Sequence, residues 1–172
     1  MTYTGRKMWP LDPDPSDIDI LDIAHALSNT CRFSGHTKEF YSVAQHSYLV
    51  SLLCPEHALW GLLHDAAEAY LHDISTPVKH APQMAAYRET EDWLRGMILL
   101  KYGIRNLKEP KEVKDADVMM AVIEGAHLMP GTPDAFWAQA NYTIGDEPFI
   151  IWMPRKAEEK FLIRFDELTH KD

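Results

Sequence analysis

The sequence predicts an all-α, single-domain helical bundle with an extended N-terminal arm. Three observations lead there. Apolar residues recur at three- and four-residue spacing through successive segments, proline, glycine and capping residues punctuate between them, and no series of alternating strand patterns appears. With 172 residues, 46% of them hydrophobic and 25% charged, the chain suits one domain (1–172) with a real core.

Taken in order, residues 1–19 form the arm, because Trp9-Pro-Leu-Asp-Pro-Asp-Pro is too proline-rich for helix or central strand. A short helix covers 20–28, and the loop 29–41 carries Arg32, Phe33, Gly35, His36 and Lys38. Ser42-Val-Ala-Gln45 has the form of a capping box and starts a helix that ends before Pro55. The next helix runs over 56–71, and Thr76-Pro77 breaks the chain. Residues 83–102 read as a long helix stopped by Gly103. Pro110 suits the first turn of another that reaches about Leu128, so the helices of chemical interest fall within about 42–128. Residues 130–153 are irregular, with Phe149–Met153 a candidate short strand. Pro154 opens a terminal helix over about 155–170 that presents Phe161, Leu162, Phe165 and Leu168.

The net charge of −9 argues against a nucleic-acid backbone as partner, since such proteins usually present a basic surface. A small anionic ligand is compatible with it, because a metal and a few cations reverse the local field. Two cysteines, Cys31 and Cys54, lack patterned spacing and suit a reduced compartment. No signal-like apolar segment follows the first residues and no run reaches membrane-spanning length, so a cytoplasmic protein with no membrane partner is expected. The arm and the aromatic-rich 130–153 region can cover a neighbouring copy, which makes a homo-oligomer the expected assembly.

The chemistry concentrates in Leu63-His64-Asp65-Ala-Ala-Glu68-Ala-Tyr-Leu-His-Asp73. An imidazole next to a carboxylate can serve one metal ion, and Glu68, four residues beyond His64, shares its face on a continuous helix. A lone histidine is more often a surface or hydrogen-bonded core group than a ligand. Combination changes that weighting: His46 sits early in one apolar helix, His64-Asp65 in a second and Asp117 in a third. Three helices can thus direct ligands into one interhelical cavity. Two imidazoles with two carboxylates suit Mn, Co or Zn, with Mg, Fe and Ni also compatible, as one ion or more. Other features read as structural. Cys54-Pro-Glu-His57 lacks a second ligand pair, Glu124 reads as a surface or pairing residue, and Trp9, Trp60, Trp93, Trp137 and Trp152 read as core or interface aromatics.

The order His46 … His64-Asp65 … Asp117 resembles the HD-domain phosphohydrolase superfamily, whose defining ligands run H…HD…D. Val43-Ala-Gln-His46-Ser, Leu63-His-Asp-Ala-Ala-Glu68 and Asp73-Ile-Ser-Thr-Pro-Val-Lys79 are similar to segments of bacterial HD-domain 5′-deoxynucleotidases and of phage dATP triphosphohydrolases. The chain departs from the former in a longer arm and a shorter His46–His64 spacing. The resemblance implies His46, His64, Asp65 and Asp117 as metal ligands and Glu68 as the residue that orients or deprotonates the attacking water. It also implies Asp73 in the water network or on the leaving-group side, and Arg32 and Lys79 on phosphate, with Phe33 in place of the family's neighbouring tryptophan. His36 enters only through its Ser-Gly-His loop position. The implied substrate is a deoxynucleotide in a bacterium or phage-infected host: dATP, cleaved to deoxyadenosine and triphosphate, or alternatively a deoxynucleoside monophosphate. A cyclic-nucleotide or dinucleotide phosphodiesterase and a non-catalytic regulatory HD module are the remaining alternatives.

Overall fold

A computed structural model describes residues 1–131 and 149–170. Its helices are α1 (Ile20–Asn29), α2 (Val43–Leu53), α3 (Ala58–Leu63), α4 (Glu68–Leu71), α5 (Thr76–Lys79), α6 (Ala85–Lys101), α7 (Lys111–Leu128) and α8 (Pro154–Thr169). The all-α expectation holds: among the described residues there is no strand, only an isolated bridge between Cys31 and Ser42.

Helix α2 is the axis of the bundle. Ser42 caps it, its side chain accepting from the Gln45 amide at 3.2 Å, as the capping box predicts. Val43, Ala44, Gln45, His46, Ser47, Leu49, Val50 and Ser51 are all buried, so the helix is enclosed on nearly every side by α1, α3, α7 and α8. A helix enclosed in this way must satisfy any polar side chain internally. Leu27 of α1, Leu62 and Leu63 of α3, Ile98 of α6, Met120 of α7 and Phe161 of α8 fill the surrounding core and are essentially inaccessible to solvent.

Four expectations need correction. The helix expected over 56–71 is interrupted: α3 stops at Leu63, and residues 64–67 form tight turns before α4. Amides there bond three residues back, Ala66 to the Leu63 carbonyl at 3.0 Å and Glu68 to the Asp65 carbonyl at 2.9 Å. Apolar periodicity cannot distinguish such a tightened turn from a continuous helix. Thr76-Pro77 does not simply break the chain, because Pro77 occupies the first turn of α5, where its missing N–H costs nothing. Phe149–Met153 is not a strand: instead the Gln45 amide donates to the Ile150 carbonyl at 2.7 Å and accepts from the Trp152 amide at 2.8 Å. One side chain thus supplies the pairing a neighbouring strand would give.

The arm, finally, is not uniformly extended. It turns at Gly5 (φ 83°) and forms a short 3₁₀ segment over Pro15–Asp17. Thr4 donates to the buried Asp22 carboxylate from its amide (2.6 Å) and its hydroxyl (2.8 Å), which ties the arm to α1. The rest of residues 130–153 includes 132–148 and Trp137, which lie outside the described residues.

Gly103 (φ 85°) ends α6 as predicted, and the Ile104 amide bonds back to the Leu99 carbonyl at 2.9 Å. Gly61 matters more, because a Cβ there would run into the Cys54 sulfur and would meet the Ser51 backbone at 3.4 Å. It permits the close approach of α3 to α2 that sets His64 beside His46. Gly61→Ala is therefore expected to cost about 1–3 kcal/mol in urea unfolding, the usual penalty for overpacking; an unchanged midpoint would show that the two helices separate freely.

Candidate metal centre

His46 lies on α2 with its ring fully buried, and its two nitrogens face different partners. Nδ1 is 2.7 Å from Glu124 Oε1, and Nε2 is 3.3 Å from His64 Nε2. His64 caps the C-terminus of α3, and its Nδ1 is 2.7 Å from the Gly61 carbonyl oxygen. That oxygen can only accept, so His64 Nδ1 carries the hydrogen. The Glu124 carboxyl is held below its ordinary range: burial opposes this, but Arg32 and the hydrogen bonds from His46 and Tyr41 outweigh burial. It therefore accepts from His46 Nδ1. In the neutral rings both Nε2 lone pairs then point at one another, a repulsive arrangement unless a proton or a cation stands between them.

Asp65 and Asp117 bring charge to this point. Asp65 Oδ2 is 3.1 Å from His64 Nε2 and 3.7 Å from His46 Nε2. Asp117 Oδ1, on α7, is 3.1 Å from His46 Nε2 and 3.9 Å from His64 Nε2. Donor atoms bound ~2.1 Å from one ion stand about 3.0 Å apart at right-angled positions and about 3.4 Å apart in a tetrahedron. The separations match that scale, and His46, His64 and Asp65 form a group that can hold a metal ion. Asp117, whose side chain is 39% exposed, stands at the rim. His64 and Ala67 keep right-handed helical dihedrals, and from this tight turn the adjacent His64 and Asp65 side chains reach one point.

The electrostatics agree. Burial alone would keep both rings neutral, yet the charge and hydrogen bond of Asp65, with Asp117 behind, push His64 up to about 9. His46 is also raised, because Glu124 and Asp117 outweigh burial and the repulsion of Arg32. Asp65 and Asp117 are both held down despite their burial, by the two imidazoles. The cluster thus demands positive charge, from protons or from a metal competing for the same lone pairs.

The other predicted residues fall around this centre unevenly. Glu68 is buried, and its Oε1 accepts from Lys79 Nζ at 3.2 Å while its Oε2 has no hydrogen-bond partner. Its carboxyl is pushed well up, first by burial and then by Asp65 and Asp73. Asp73 is half-buried in the turn after α4, also raised by burial, and within electrostatic reach of Asp65, Arg32 and Lys79. Arg32 donates from Nε to Glu124 Oε2 at 3.0 Å and sets Nη1 3.7 Å from Asp65. Phe33 lies beside it, the guanidinium 5.6 Å from the ring centroid, in a turn where Phe33, Ser34 and Gly35 all have positive φ. His36 is exposed at the end of this turn, and among the described residues no hydrogen bond or ion pair joins its ring to the cluster.

The sequence reading left Glu124 as a surface or pairing residue, of which the pairing holds, and it did not single out Tyr41 or Glu91. Glu124 is completely buried, not a surface residue, and also accepts from Tyr41 Oη at 2.9 Å. Its signal was available, since it lies seven residues beyond Asp117, on the same face of α7 and between apolar neighbours. Glu91 of α6 accepts from Lys79 Nζ at 2.8 Å; no local pattern separates it from the other charges of that helix.

No family model matches the chain. It is 38% identical over 172 residues to Uncharacterized protein YfdR of Escherichia coli (strain K12), spanning 98% of this chain and 94% of the relative. The chain belongs to the YfdR family. It is also 38% identical over 138 residues to Uncharacterized protein RCAP_rcc00048 of Rhodobacter capsulatus, covering 73% of this chain and 70% of that protein. Neither name states an activity, so the chemistry of the YfdR family has to be read from the centre itself. No helix among the described residues is long and apolar enough to cross a membrane.

Lys79→Met leaves Glu68 without the cation that now lowers its pKa. The variant's folded state then binds a proton at Glu68 still more tightly, relative to its unfolded chain, than the wild type does. That contribution is full below the ordinary glutamate range and lost as pH rises through the raised value. Urea unfolding should therefore show a deficit that grows as pH rises above the ordinary glutamate range, reaching about 3 kcal/mol or more. A deficit independent of pH would remove Lys79 from the electrostatics of Glu68.

Proposed function

We propose that this protein is a metal-dependent phosphohydrolase of 2′-deoxynucleotides, with dATP, cleaved to deoxyadenosine and triphosphate, as the first substrate to test. The observation that carries the reading is the convergence of His46, His64 and Asp65 donor atoms beside a buried glutamate with one unpartnered oxygen. The H…HD…D order supports membership of the HD-domain superfamily, and the nucleotide and its adenine come from that resemblance alone.

Asp117 is assigned as the fourth ligand, at the open side of the centre. His46, His64, Asp65 and Asp117 would hold a divalent ion, Mn, Co or Zn, which when bound would supply a water acidified from ~15.7 toward 7 and positive charge for a phosphoryl oxygen. Glu68 is anchored through Oε1 by Lys79, which leaves Oε2 to orient the attacking water and take its proton. The water oxygen bonds to the α-phosphorus, the bond from phosphorus to the 5′-oxygen breaks, and the departing oxygen receives the proton that Glu68 took from the water. Asp73, within electrostatic reach of Asp65, is assigned to that water network. Arg32 and Lys79 supply positive charge toward the phosphoryl oxygens, with Phe33 and His36 assigned to the nucleoside side. Phosphoryl transfer needs little beyond such positioning and charge.

One observation favours the monophosphate alternative. Arg32 is already paired with Glu124 and Asp65, and Lys79 with Glu68 and Glu91. Lys38 is turned to the His127 carbonyl, and residues 132–148 contain neither Lys nor Arg. Lys114, exposed one turn before Asp117, remains for a longer phosphate tail.

An assay of dATP, dAMP and other deoxynucleotides with added Mn or Co, reading triphosphate against phosphate, tests both substrates. Triphosphate from dATP is expected, and consumption of dAMP with dATP ignored would transfer the activity to monophosphates. His64→Ala and Asp65→Ala should lose metal and turnover together. Glu68→Gln should keep its metal while turnover falls by ~100-fold or more; equal loss of metal would refute its assignment.

A further inference from the structure

Glu124 sits at the floor of the centre, two helical turns along α7 from Asp117 at its mouth, and binds three groups at once. Its Oε1 accepts from His46 Nδ1 (2.7 Å) and Tyr41 Oη (2.9 Å), and its Oε2 accepts from Arg32 Nε (3.0 Å). Both carboxyl oxygens are used, and the side chain is wholly inaccessible. A buried carboxylate is costly and is retained only where charge and hydrogen bonds are returned in full. Here they are, but the partners are not spectators: one is a candidate metal ligand and the other the arginine 3.7 Å from Asp65.

We propose that Glu124 is the positioning residue of this centre, fixing His46 with hydrogen on Nδ1 so that Nε2 is presented to the metal, and holding Arg32 beside Asp65. The inference rests on the metal-centre part of the functional reading. It explains why a fully buried histidine adopts one ring orientation: turned over, the ring would set Cδ2 against the carboxylate and Cε1 at the convergence point, and both nitrogens would lose their partners. A carboxylate behind a ligating imidazole also raises the ring's basicity and fixes its tautomer. Glutamine cannot replace it, because an amide has one acceptor oxygen. With that oxygen on His46 Nδ1–H, the NH₂ group meets the Nε–H of Arg32, donor against donor.

The test is zinc titration of the full chain as wild type, Glu124→Gln and Tyr41→Phe, with ¹⁵N-edited NMR of the zinc-loaded proteins reading the His46 Nδ1 proton. Glu124→Gln should weaken zinc about 10- to 100-fold and lose the downfield Nδ1–H signal of the wild type. Tyr41→Phe removes a hydrogen bond to the same carboxylate without touching His46, so it should lower the melting temperature and leave zinc affinity unchanged. Zinc affinity unaltered in Glu124→Gln, or weakened equally in Tyr41→Phe, would overturn the proposal. Should Glu124→Gln not fold, Glu124→Asp, which keeps the charge but shortens the reach, must weaken zinc by about tenfold; undiminished affinity overturns the idea just as firmly. Wild-type zinc binding without nucleotide hydrolysis would sink the proposed activity and leave the role of Glu124 standing.

Discussion

Two imidazole nitrogens, His46 Nε2 and His64 Nε2, meet 3.3 Å apart in the interior of a helical bundle, and this confrontation is the constraint around which the rest is arranged. Each ring is committed by its other nitrogen, to Glu124 in one case and to the Gly61 carbonyl in the other. Neither can turn away without abandoning a buried hydrogen bond. The pair is therefore tolerable only with positive charge between the rings, and Asp65 and Asp117 intensify that demand. A bundle built solely for stability has no reason to spend its most enclosed helix on such an arrangement, since apolar side chains of similar volume would serve as well or better.

The fold supplies this point from separate directions. Helix α2 brings His46 from the axis, and the close contact at Gly61 seats α3 against it. The turn after Leu63 presents His64 and Asp65 to the same place. Helix α7 contributes twice, with Asp117 near solvent and Glu124 beneath. Beyond the donor atoms, Lys79 ties Glu68 of α4 to Glu91 of α6. That bridge crosses a stretch where α4 and α5 are each a single turn, too short to hold their position by backbone alone.

Much of this was legible in the sequence, and the failures have physical causes. Capping at Ser42, the stop at Gly103 and the start at Pro154 depend on local chemistry, and each lies where the local signal put it. The break inside the His64–Glu68 segment did not show, because tight turns and α-helix share nearly the same apolar spacing over so few residues. Phe149–Met153 had strand-like composition, but its pairing comes from Gln45, more than a hundred residues earlier. Among site residues, His46, His64 and Asp65 were readable because histidine and aspartate are conspicuous within apolar runs. Glu124 stood in a similar run and was read only as a surface or pairing residue, because glutamate is ordinary on a helix surface; it is paired, but buried. His36 was suggested by its loop position alone, and its ring is exposed. Similarity to YfdR fixes kinship without lending an activity, which leaves coordination chemistry as the firmest route to function.

The most direct measurement is X-ray diffraction at the absorption edge of zinc or cobalt, on crystals of the metal-loaded chain. An anomalous peak is expected within ~2.0–2.2 Å of His46 Nε2, His64 Nε2 and an Asp65 oxygen, the ordinary ligand distances for these atoms. A metal found only elsewhere, for example at the surface pair of His57 and Glu112, with the two buried imidazoles bridged by nothing heavier than a proton, would contradict the account.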